Sequence, residues 1–113
     1  MSTDPILTAQ ALLARGSELL EAKAHDYTPD EHDDALWNFR FTGAVLDLAV
    51  EAGVRGPDLA FVALLATKMA RMIALRGKRK AARNEPIAET CMDSANYYAL
   101  WSALVQAMEA QGR

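Results

Sequence analysis

Apolar positions in this chain recur three and four residues apart in four segments, each bounded by proline, glycine or a cluster of charges, a spacing that predicts amphipathic helices. The first helix, residues 5–24, opens at Asp4-Pro5, a capping side chain followed by proline at the first helical position. Ile6, Ala9, Leu12, Leu13, Leu19 and Leu20 form its stripe, and Gly16 within it predicts a close helix crossing. Asp26-Tyr-Thr-Pro-Asp30 breaks the pattern, because proline disfavours helix for the residue before it. A second helix over 33–52 carries Leu36, Phe39, Gly43, Leu46 and Val50, and Gly53-Val-Arg-Gly-Pro57 closes it. The third, 57–76, turns Leu59, Val62, Ala63, Ala66, Met69, Ala70 and Ile73 inward and stops at Gly77. After the basic joint Lys78-Arg-Lys-Ala-Ala-Arg-Asn84, with Asn84 as cap, the fourth runs over 85–109 through Ile87, Cys91, Ala95, Tyr98, Ser102, Val105 and Met108. β-Branched residues never alternate. The sum is one all-α domain spanning 1–113, a four-helix bundle-like fold.

Composition narrows the class. At 113 residues, 51% of them apolar, the chain is a single folded domain at the small end of what is stable alone. Cys91 is the only cysteine, which excludes an intrachain disulfide and a cysteine-rich zinc site. The chain lacks an apolar run of spanning length and a signal-peptide pattern near Met1, so the expectation is a soluble cytoplasmic protein, in the host cytoplasm if phage-encoded, with no membrane partner. The abundance of Ala, Leu and Met on the third and fourth helices predicts a homodimer or homotetramer.

The net charge of −3 conceals segregation. Between Glu18 and Asp34 seven acids face a single base, Lys23, whereas Lys68 to Arg83 holds seven bases and no acid. The basic stretch lacks the interleaved aromatics and recognition-helix pattern that nucleic-acid binding needs.

The strongest chemical signal is Glu85-Pro-Ile-Ala-Glu89-Thr-Cys-Met-Asp93-Ser-Ala-Asn96-Tyr97. Four helical residues advance roughly 400°, so Glu85, Glu89 and Asp93 line one face and require a compensating cation. Hard divalent ions take oxygen ligands, and Glu18 and Glu21, three apart on the first helix, would complete a two-helix oxygen cage with them. Asp26 stands at a helix exit as a ligand or a turn cap. Lys68 and Arg71, charges within a very apolar helix, need partners: a polyphosphate reached together with Arg79 and the joint, or these carboxylates as ion pairs. Trp37 and Asn38 could stack and read a base, or belong to the core. Cys91 falls toward the interior without an organised base. Solvated faces paired by salt bridges account for the same residues without any ligand.

The order Lys23-x-x-Asp26-Tyr27, Asn38-Phe39, Lys68-x-x-Arg71, then Glu85-x-x-x-Glu89-x-x-x-Asp93-x-x-Asn96-Tyr97 resembles small phage and bacterial proteins related to the MazG-like all-α nucleotide pyrophosphohydrolases. The likeness spans about residues 16–105. It implies a helical oligomer in which carboxylates from two helices hold Mg²⁺, or Mn²⁺ in its place, on a nucleoside triphosphate. Cleavage between the α and β phosphates would release a monophosphate and pyrophosphate. Glu18 and Glu21 match the first acidic pair, Glu89 and Asp93 the second, although this chain has Glu-x-x-x-Asp where those enzymes have Glu-x-x-Asp. Lys23, Asp26, Trp37, Asn38, Lys68, Arg71, Arg79, Asn96 and Tyr97 would then face the nucleotide, with Glu85 beside the metal. The alternatives are a nucleotide-binding or sequestering protein without turnover and a helical structural or interaction protein.

Overall fold

A computed structural model describes residues 4–29, 36–78, 81–83 and 85–112. The expected binding residue Arg79, the expected cap Asn84 and the acidic stretch 30–34 lie outside the described residues. Four helices make up the described fold: α1 (Pro5–Tyr27), α2 (Trp37–Glu51), α3 (Pro57–Lys78) and α4 (Ile87–Ala110).

The local signals act as their chemistry dictates. Asp4 caps α1 by accepting the Ile6 N–H at 2.9 Å, and Pro5 follows it. The helix runs three residues beyond 24 and ends where Pro29 forces Thr28 into extended backbone, φ −108° and ψ 119°. At the end of α2 the Gly53 N–H donates to Val50 O and the Val54 N–H to Ala49 O, both at 2.9 Å. With Gly53 at φ 97°, this is a Schellman termination. Gly77 does not stop α3, which continues to Lys78. Pro86 does set the start of α4: it holds extended backbone itself and keeps Glu85 out of the helix. Glu85 therefore leaves the expected helical ladder, and only Glu89 and Asp93 remain on the helix.

α3 is the central element, packed against α1, α2 and α4. Its Leu65, Ala66, Ala70, Ala74 and Leu75 are the buried apolar residues, three of them alanine. Met69 and Ile73, expected inside, are 53% and 41% exposed. α2 packs on α3, and its covered residues are Asn38, Phe41, Thr42, Val45 and Ala49 together with the expected Gly43 and Leu46, while the expected Leu36, Phe39 and Val50 are exposed. α4 is displaced in the same sense: Thr90, Ser94, Tyr97, Trp101, Leu104 and Met108 turn inward. Cys91, Ala95, Tyr98, Ser102 and Val105 are exposed, so the expected interior position of Cys91 is corrected. Both helices are apolar on two faces, and periodicity alone does not choose the one that meets α3. The crossing expected at Gly16 is absent from the described chain, since nothing lies within 4 Å of where a Cβ would stand.

Candidate functional site

Two helix ends and the middle of α3 converge on one polar cluster. α1 contributes Asp26 and Tyr27 from its last turn, α3 contributes Lys68 and Arg71 one turn apart, the bend before α4 contributes Glu85, and α4 contributes Thr90 and Asp93. The inner half is a closed ion pair. Asp26 and Arg71 are both fully buried, and Asp26 Oδ2 accepts from Arg71 Nε at 3.1 Å and Nη2 at 2.6 Å. Asp26 Oδ1 accepts the Arg83 backbone N–H at 2.8 Å. Nη1 donates to Thr90 Oγ1, and Nη2 donates also to the Glu85 carbonyl. Burial of two charges is tolerable only because each is answered on several sides. Arg71 is thereby placed where no solute reaches it, and its role is to join α1, α3 and α4.

The outer half opens to solvent. Lys68 Nζ lies 3.3 Å from Glu85 Oε1 and 3.1 Å from Asp93 Oδ2, and Thr90 Oγ1 donates to Glu85 Oε1 at 3.0 Å. One ammonium thus bridges two carboxylates whose side chains are 24% and 42% exposed. Burial works against the charge on Lys68, but the hydrogen bonds to Asp93 and Glu85 outweigh it and hold the ammonium above the ordinary lysine range. Burial raises the Tyr27 phenol, against the lowering influence of Lys68 and Arg71. Three carboxylates against two cations leave these five side chains with one negative charge in excess. A shallow hollow of about 420 Å³ borders Glu85, lined also by Ala82, Arg83, Pro86 and Ile87.

Of the expected site residues the structure gathers Asp26, Lys68, Arg71, Glu85 and Asp93. Glu18, Glu21 and Lys23 are exposed on α1, and Glu89 and Asn96 are exposed on α4. Tyr97 is half-buried one turn beyond Asp93. Trp37 stacks on Phe41 with ring centroids 5.3 Å apart, and Asn38 is buried on α2. Among the described residues no three His, Cys, Asp or Glu side chains are placed to hold a metal together, so the four-carboxylate cage is not assembled there.

Thr90 and the Arg83 backbone were not legible as cluster members. Thr90, Ser94 and Tyr97 do form a polar run at helical spacing on α4, the counterpart of Lys68 and Arg71 on α3. Asp58 was missed too: in the first turn of α3 it accepts the Trp101 indole N–H at 2.7 Å, fixing the far end of α4. No described helix is long and apolar enough to cross a membrane. No family model, curated protein or solved structure matches the chain.

Proposed function

We propose that the chain is a Mg²⁺-dependent nucleoside triphosphate pyrophosphohydrolase, converting an NTP or dNTP to the monophosphate and pyrophosphate. The observation that carries this reading is the sharing of one cation by Glu85 and Asp93 on an open face. Mg²⁺ is commonly held by one or two carboxylates together with substrate phosphates rather than by an all-protein cage, so this pair fits the ion. When bound, Mg²⁺ supplies charge neutralisation on phosphate oxygens and a lowered pKa for its water.

The chain's own residues divide the remaining work. Lys68, released from bridging its two acids, turns its ammonium to the phosphate oxygens as a point charge. The hollow beside Glu85 and Arg83 offers room for the polyphosphate. Arg71 and Asp26 hold the ends of α1 and α4 in register and position Glu85 through its carbonyl and through Thr90. Glu18, Glu21 and Glu89 belong to this reading as acids that join the site only in the oligomer.

A screen of natural NTPs and dNTPs with Mg²⁺ or Mn²⁺, reading monophosphate and pyrophosphate separately, tests the reaction. Asp93→Asn tests the site, because it removes the charge while nearly keeping the volume. Millimolar Mg²⁺ with nucleotide should raise the melting temperature of the wild type and do little for the variant, since a ligand of the folded state stabilises by mass action. Equal responses in the two proteins remove Asp93 from the metal site. A helical protein held by internal ion pairs is the second reading, favoured by the closed Asp26–Arg71 pair. It predicts no response to metal or nucleotide in either protein.

A further inference from the structure

Every residue from Asp4 to Glu21 is exposed, so most of α1 is a helix without tertiary support in the single chain. Ile6, Leu13 and Leu20 are 67%, 73% and 67% exposed and alternate with Ala9 and Gly16 at heptad spacing, giving a ridge of large residues separated by gaps. A lone helix of this length is marginal in water without a partner for its apolar face. The bare face of α4 is the complementary strip: Cys91, Ala95, Tyr98, Ser102 and Val105 follow the same three-and-four spacing. Both strips cover fifteen residues, about 22 Å of helix.

The quantity of uncovered surface indicates a second copy. The chain exposes 8101 Å², whereas a compact monomer of its 12.3 kDa exposes about 6,100 Å². The excess, about 2,000 Å² per chain, matches what each partner contributes to an obligate dimer. The radius of gyration, 17.7 Å, likewise exceeds the roughly 13 Å of a compact chain of this length.

We propose that two copies exchange their α1 arms, the Ile6/Leu13/Leu20 ridge of each chain lying on the Cys91/Ala95/Tyr98/Ser102/Val105 face of α4 in the other. The contact is isologous, so it closes at two chains. It stands independently of the hydrolase reading, because it requires neither metal nor nucleotide.

The single native cysteine lies in the proposed contact and supplies the probe. Light scattering at about 50 µM should give twice the chain mass, and Leu13→Asp and Tyr98→Asp should each shift it toward one chain mass. Ile6→Cys and Leu20→Cys, oxidised with diamide, report parallel and antiparallel arms, and one of them should form an interchain disulfide with Cys91. That band should vanish when Cys91→Ser is added. Full-length wild type that scatters as a monomer overturns the proposal. So does a band that survives Cys91→Ser, which places α1 on α1, or a Cys91 disulfide closed within one chain. Should an Asp variant lose its helical circular dichroism, the cysteine pairs decide alone.

Discussion

The least replaceable residue of the cluster is Arg71. It reaches Asp26, Thr90 and the Glu85 carbonyl from one planar fork, a pattern that a lysine cannot reproduce. Arg71→Met leaves Asp26 buried without its counter-charge, and we expect a loss of about 3–5 kcal/mol in urea unfolding. Arg71→Met with Asp26→Leu should recover part of that loss, because the stranded charge is gone; equal losses in the single and double variants would contradict this account. The outer residues carry a pH dependence of definite sign. Lys68 and Tyr27 both have folded-state pKa values raised above their ordinary ones, 10.5 and 10.0. Each therefore contributes stability that is complete below its unfolded pKa and is lost as pH rises through the folded one. The wild-type melting temperature should fall above about pH 10 more steeply than that of a Lys68→Met, Tyr27→Phe variant. Parallel profiles would show that the two side chains are not held as described.

At the scale of the helices, the punctuation was more legible than the faces. Asp4-Pro5, Thr28-Pro29 and Gly53 each act through backbone geometry that holds regardless of packing and each marks an element boundary, whereas Gly77 does not stop α3 and Pro86, expected inside the fourth helix, stands before its start. The faces of α2 and α4 were displaced by about one position, because a helix apolar on two sides has no periodic signal to select its intramolecular neighbour. The adjacency of Lys68 and Arg71 to the acids could be read, since charges in an apolar helix must be answered. Which acid answers which base could not, because it depends on Pro86 holding Glu85 outside α4. The α2 terminus gives a further test. Gly53 adopts φ 97°, which an L side chain rarely tolerates, so Gly53→Ala should cost about 1 kcal/mol in thermal or urea unfolding. An unchanged midpoint would mean that the Schellman turn is not retained.

For the whole molecule, the proposed exchange of α1 arms would make folding and association one equilibrium. The melting temperature should therefore rise with protein concentration between about 1 and 100 µM, as expected when partner surface completes the folded state. A concentration-independent transition would argue for a self-sufficient single chain. The Asp26–Arg71 pair has a consequence for the order of events as well. It joins residues 45 apart, whereas α2 and α3 are linked by only the five residues between Glu51 and Pro57. Closing the longer loop costs more chain entropy and gains little until α4 brings Thr90 to the guanidinium. The α2–α3 hairpin is thus the expected nucleus, and α1 the last helix to be tied in. Stopped-flow traces of Asp26→Asn should show faster unfolding with a nearly unchanged refolding rate, which assigns the latch of this fold to its kinetic persistence and leaves its speed of formation to the hairpin.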